Sequence, residues 1–344
     1  MDDPLFTFGI IADIQYADMD DGYNYTKTRV RFYRNSLSLL QGAVREWASE
    51  GVTPQFILQL GDLIDGFNVL HKSSEASLKK VLTEIDKLKT PVHHIWGNHE
   101  FYNFSRKQLM ESRLNSSTVQ ATLTTVPEDG GDPLDWFYAY HFSPSSKFRL
   151  LLIDSYDFSV IGRDPSSEKH IKSSKLLRQK NPNEDKNSPK DLAETRFVQF
   201  NGGISAAQLS WIKAVLETAD KNKEKVIVAG HLPVHPSSTD PVCLTWNYQE
   251  VLDLLQSHPC VVAYFSGHDH DGGYHQDECG IHHLTFNGII ETPPESQAFG
   301  TMYVYQDKMV LKGRGLVPDR TLLYREKQRM AGKSCRQSAG KTEK

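Results

Sequence analysis

Five places in this 344-residue chain put a metal-ligand side chain at the end of a short apolar run. Residues 8–12 run into Asp13, with Gln15 two positions on, and residues 56–60 run into Gly61-Asp62. Residues 92–96 lead into Gly97-Asn98-His99-Glu100, residues 225–229 into Gly230-His231, and residues 261–266 into Gly267-His268-Asp269-His270. Carboxylate, amide and imidazole are the donors from which divalent-cation sites are assembled. A carboxylate closing a buried strand is costly unless something pairs with it. Four of the five endings follow glycine directly, which permits a sharp turn and a close approach of backbone to ligand.

Each corner taken alone has an ordinary reading. An Asp after a strand is commonly a turn residue or a helix cap, and Gly-Asp is a common turn dipeptide. Asn98 could cap a helix, His231 could be a histidine in a turn, and the alternate pair His268 and His270 says little in isolation. Five such endings in one chain are a different matter, and the constellation carries the signal.

The elements that must hold these residues follow from periodicity. Residues 30–49 place Leu37, Leu40, Val44 and Trp47 on one helical face, and residues 74–89 and 204–220 also read as amphipathic helices. They alternate with strands at 8–12, 56–60, 92–96, 148–155, 225–229 and 261–266, the pattern of βαβ units with parallel strands. In open α/β sheets, ligands collect at the carboxyl ends of strands, so the five endings should converge.

Composition narrows the partners. The formal charge is −4, but residues 325–344 carry seven Lys or Arg against two Glu, so the tail is +5 and the rest −9. An acidic body argues against a nucleic-acid groove, which needs cations to displace counterions. The tail reads as a solvated, disordered basic segment. Cys243, Cys260, Cys279 and Cys335 show no paired spacing, which fits reduced thiols in the cytoplasm. The start, MDDPLFTFGII, has no basic region before its apolar run, so it is not expected to be a secretory signal, and no apolar stretch is long enough to span a membrane. One domain is expected over residues 1–320, with a polar insertion at 155–203 that is either a lid or a surface excursion.

The order D-x-Q, G-D, G-N-H-E, G-H, G-H-x-H resembles that of the calcineurin-like metallophosphoesterases over roughly residues 5–312, departing at Gln15, where the family pattern has His. The pairing of D-x-Q with GNHEFYNFSR is similar to the branch of manganese-dependent ADP-ribose/CDP-alcohol diphosphatases. The resemblance implies a two-sheet αββα sandwich holding two divalent ions. One ion is expected on Asp13, Gln15, Asp62 and His270, and the other on Asp62, Asn98, His231 and His268, with Asp62 shared. His99 is expected to face the phosphate as a protonated imidazole and not to bind metal, and Glu100 to support the site or start a helix. Glutamine is neutral like the histidine it replaces but offers a hard amide oxygen, which suits Mn²⁺ or Mg²⁺ better than Zn²⁺, and with the resemblance makes Mn²⁺ the expected cofactor.

The resemblance further implies hydrolysis of the phosphoanhydride of ADP-ribose and of CDP-alcohols such as CDP-choline. A cyclic-nucleotide phosphodiesterase or a phosphomonoesterase on the same centre is the alternative, and a metal-free scaffold would be expected to have lost ligands. The expected partners are small nucleotide-diphosphate substrates, with neither nucleic acid nor membrane, and the chain is expected to act as a monomer. Phe67, Tyr102, Phe104 and Trp246 follow core motifs closely enough to stack on a base, and His235 could touch phosphate.

Overall fold

The computed structural model describes residues 3–49, 53–118 and 136–324. The basic tail at 325–344, including Cys335, lies outside the described residues.

Two six-stranded sheets form the body. The first runs, edge to edge, Arg320–Leu323, Lys308–Gly315, Ala298–Val304, Phe6–Ile11, Phe56–Gln59 and Val92–His94. The second runs Gly273–Gln276, His282–Thr285, Val261–Ser266, Lys225–Ala229, Phe148–Leu152 and Tyr140–Ser145. Phe6–Ile11, Phe56–Gln59 and Val92–His94 are mutually parallel, as are His282–Thr285, Val261–Ser266, Lys225–Ala229 and Phe148–Leu152. The βαβ pattern therefore describes the centre of each sheet. The flanks are antiparallel: Ala298–Val304, Lys308–Gly315 and Arg320–Leu323 on one, Gly273–Gln276 and Tyr140–Ser145 on the other.

The sheets meet face to face through aromatic side chains. Phe6 packs edge-on to Phe148 with centroids 5.4 Å apart, Phe56 meets Phe142 at 5.2 Å, and Phe8 reaches Phe265 at 6.4 Å. Such offset and edge contacts add specificity to the area they bury. Helices cover the outer faces and complete an αββα sandwich. On the first sheet, the helix Asn35–Ala48 buries Leu39, Leu40, Ala43, Val44 and Trp47, and Ser74–Ile85 buries Leu78, Val81, Leu82 and Ile85. The first of these begins five residues later than periodicity suggested, because Val30–Arg31 pairs as a short strand with Gly22–Tyr23. On the second sheet, Ala206–Asn222 packs Trp211, Ile212, Val215 and Leu216 against Leu151, Val226 and Val228. Its start is set by Ser205, whose hydroxyl accepts the Gln208 N–H at 3.2 Å.

The 155–203 segment contains a helix, Glu168–Lys180, and sends Tyr156, Phe200 and Asn201 toward the strand ends. Cys279 is disulfide-bonded, so the expectation of reduced thiols fails at that position. No helix among the described residues is long and apolar enough to cross a membrane.

Trp47 fixes the first helix to its sheet. It is buried, donates its indole N–H to Thr301 Oγ1 at 3.1 Å, and packs edge-on to Phe299 at 5.2 Å. Trp47→Ala should lower unfolding stability by about 3–5 kcal/mol in chemical denaturation. Activity per folded molecule should stay near wild type, since the indole packs against Gly9, Phe299 and Thr301 rather than against a ligand residue.

Candidate metal centre

The five strand endings do meet. Asp13, Gln15, Asp62, Asn98, His231 and His270 are buried, His268 is partly buried, and the ligand atoms of Asp62, His231 and His268 lie within 4.8 Å of one another. Four of these residues hold left-handed backbone: Asp13 at φ 51°, Gln15 at 43°, Asp62 at 60° and His268 at 69°. Non-glycine residues rarely adopt this region, and it persists only where the surroundings impose it. Here it turns each side chain sharply off the end of its strand. The preceding glycines answer a second constraint: a Cβ at Gly97 would overlap the Asp62 carboxylate and the His231 ring.

Each histidine is held by one ring nitrogen, leaving the other to face inward. His231 donates from Nδ1 to the Leu60 carbonyl at 2.7 Å, so its Nε2 faces Asp62 Oδ2 at 3.4 Å. His270 donates from Nδ1 to Glu291 Oε1 at 2.8 Å, and its Nε2 faces Asp13 Oδ1 at 3.5 Å. His268 donates from Nε2 to Asn201 Oδ1 at 2.8 Å, which puts Nδ1 3.2 Å from His231 Nε2. The orientation of Asn201 is fixed, because its Nδ2 donates to the carbonyls of Arg196 and Val242 at 2.9 and 2.7 Å. An outer acceptor on each ring is the usual way a metal-binding imidazole has its tautomer set.

This arrangement fits a cation. With those tautomers, the lone pairs of His231 and His268 point at each other and at the Asp62 carboxylate, which only a proton or a metal ion reconciles. Burial opposes charge on His231, but Asp62 beside it prevails and raises its pKa to about 9. Charge on His270 is likewise disfavoured by burial, yet the carboxylates of Asp13 and Glu291 beside it raise its pKa to about 10. Burial and then the neighbouring His231 push His268 well down. Asp13 Oδ1 and Gln15 Oε1 are buried with no hydrogen-bond partner, the condition of an oxygen shaped to meet an ion. The Gln15 Nε2 donates toward Asp62 Oδ2 at 3.2 Å and His270 Nε2 at 3.0 Å, and the two ends of an amide exchange by a half-turn.

Glu100 binds no ligand atom and serves the loops instead. Its carboxylate accepts the backbone N–H groups of Asp62 at 2.8 Å, Leu63 at 2.7 Å and Gly97 at 2.7 Å, tying two strand endings together. Burial, followed by the charge of Asp62, raises its pKa to about 7. His99 stands beside the cluster, with Nε2 4.0 Å from Asp62 Oδ2. The Gly66 N–H donates to His99 Nδ1 at 2.8 Å, so Nδ1 acts as an acceptor and Nε2 is the ring nitrogen that carries a proton toward the site.

Above the cluster opens a cleft of about 910 Å³. Phe67 and Tyr102 line it. The structure does not bring Phe104, His235 or Trp246 there. Phe104 lies in the main core, Trp246 packs with Leu177 and Phe197, and His235 stacks against His275 and His283 at 4.4 and 4.6 Å. Asp65, Tyr156, Asn201 and Glu291 were not singled out from sequence. Asp65 is the second acid of the run GDLID and could have been found by its spacing. The others carry no local signal.

Residues 6–272 match the calcineurin-like phosphoesterase family, and the chain belongs to it. It is 60% identical to the manganese-dependent ADP-ribose/CDP-alcohol diphosphatase of Xenopus tropicalis over 96% of this chain and 98% of that one. The protein of the same name from Homo sapiens is 52% identical, with 94% of each chain covered. A crystal structure of a dimetal phosphatase from Danio rerio superposes with a TM-score of 0.87 at 50% identity, covering 94% of this chain and all of that one.

If Asp62 is shared between two ions, Asp62→Ala should empty both positions, as read by metal analysis of the purified variant. Retention of one ion at wild-type affinity would show that the carboxylate serves a single ion.

Proposed function

We propose that the protein is a manganese-dependent hydrolase that splits the phosphoanhydride of ADP-ribose and of CDP-alcohols, releasing a nucleoside monophosphate and a phosphorylated product. The relatives bear that activity in their names, at identities of 52–60% across nearly the whole chain. In this reading Asp13, Gln15, Asp62 and His270 hold one ion, and Asp62, Asn98, His231 and His268 hold the other. When bound, the ions supply Lewis acidity toward the phosphate and an acidified water.

The observation that favours a diphosphate over an alkyl ester is the state of His99. Its Nδ1 is occupied by the Gly66 N–H, so Nε2–H is the donor aimed at the site. A neutral imidazole donates a hydrogen bond readily but gives up its proton poorly. Water adds to the attacked phosphorus and the bridging P–O bond breaks, and the bond's electron pair leaves on a phosphate monoester. That group is weakly basic, so a hydrogen bond from His99 is sufficient to stabilise it. An alkoxide leaving from a simple monoester demands a full proton and would be served less well. Tyr156 supports the arrangement by donating its hydroxyl to Asn98 Oδ1 at 3.1 Å, and Glu100 keeps the Asp62 and Gly97 loops in register.

The same reading has a monomer acting in the cytoplasm. The thiols of Cys243 and Cys260 agree with a reducing compartment, whereas the disulfide at Cys279 weighs against it.

Separation of products from manganese-containing reactions tests the substrate. ADP-ribose should give AMP and ribose 5-phosphate, and CDP-choline should give CMP and phosphocholine. Cyclic AMP or simple monoesters cleaved much faster than both diphosphates would overturn the reading.

His99→Ala should lower kcat roughly 10²–10³-fold while both ions remain bound. Loss of metal in that variant would instead make His99 a ligand.

A further inference from the structure

A diphosphate brings two charged phosphates into one cleft. The ligand cluster answers the phosphate under attack, and the other needs a cation from the chain. Arg29 and Arg31 are the only Lys or Arg among the described residues that line the cleft. Arg29 is exposed and engaged with Asp271 at 2.6 Å. Arg31 sits deeper, with its side chain 20% exposed, and it is held between two acids: Nε lies 3.3 Å from Glu291 Oε1 and Nη1 lies 3.7 Å from Asp65 Oδ2. Only the first of these is a hydrogen bond by distance.

Both acids also reach the site residues. Glu291 Oε1 takes the Nδ1–H of His270 at 2.8 Å, and Asp65 Oδ2, which has no hydrogen-bond partner, stands 3.4 Å from Nδ1 of His99. The guanidinium therefore spans the gap between a candidate metal ligand and the residue that faces the leaving group. Glu291 anchors the fork at Nε, Asp65 stands near Nη1, and Arg31 lines the cleft. Arginine is suited to this task, because a planar fork of donors matches the oxygens of a phosphate and stays charged throughout the accessible pH range.

We propose that Arg31 receives the phosphate next to the one attacked, and so selects substrates with two linked phosphates over esters with one. The inference rests on the diphosphate reading of the site. It makes Arg31 a specificity residue that touches substrate, where a purely structural arginine would act only by holding Glu291 and, through it, His270.

The experiment compares wild type, Arg31→Lys and Arg31→Gln on ADP-ribose, CDP-choline and bis(4-nitrophenyl) phosphate, a diester with no second phosphate, with manganese affinity measured for each protein. Loss of a charge-assisted contact should lower kcat/KM on both diphosphates by about 10- to 100-fold in Arg31→Gln, with a smaller loss in Arg31→Lys. Turnover of the diester and affinity for manganese should stay within a few-fold of wild type. Equal losses on all three substrates together with weakened manganese binding would overturn the proposal in favour of a role through Glu291 and His270. Unchanged kinetics on the diphosphates would also overturn it. A wild-type protein that cleaves the diester but neither diphosphate would refute the substrate reading itself, an outcome visible before any variant is compared.

Discussion

The Asp62 carboxylate is the point on which the structure turns. It is buried, and a bare carboxylate in that setting is strongly disfavoured unless countercharge and hydrogen bonds surround it. The backbone N–H of His99 donates to its Oδ1 at 2.9 Å, Gln15 reaches its Oδ2, and His231 faces it from the opposite sheet. These groups arrive on three different strand endings, one of which Glu100 fastens to the ending that carries Asp62 by accepting backbone N–H groups from both. Without metal, the field of Asp62 draws a proton onto His231 against the cost of burial. The same field is what attracts a divalent ion.

Strain follows from that convergence. Asp13, Gln15, Asp62 and His268 each hold left-handed backbone, at a cost of order 1–3 kcal/mol apiece. The aromatic interior between the sheets and the outer helices supply the stability that keeps these turns in place. On the proposed ligand set, Gln15 would offer an ion an amide oxygen where the family pattern has a ring nitrogen, a harder donor at unaltered charge.

The residues that converge at the strand ends were legible because metal chemistry restricts residue type and because glycine must precede a side chain that packs on another loop, as Gly97 does on Asp62. The parallel centres of the sheets were legible from alternating strand and helix. The antiparallel flanks were not, since strands such as Lys308–Gly315 and Gly273–Gln276 lack a distinguishing period next to the motifs. Glu291 and Asn201 were also hidden: they are 21 and 67 residues from the histidines they orient, and only the fold brings them together. Proximity to a motif misled for the aromatics. Tyr102 and Phe104 lie two residues apart, yet the first lines the cleft and the second joins the core, because the helix Asn98–Asn103 ends between them.

Diffraction from crystals grown with manganese, recorded at an energy where manganese scatters anomalously, tests the central claim directly. Two anomalous peaks should flank the Asp62 carboxylate, one in contact with Asp13, Gln15 Oε1 and His270, the other with Asn98, His231 and His268. A single peak, or a second one out of reach of Asp62, would contradict the shared carboxylate on which the account depends.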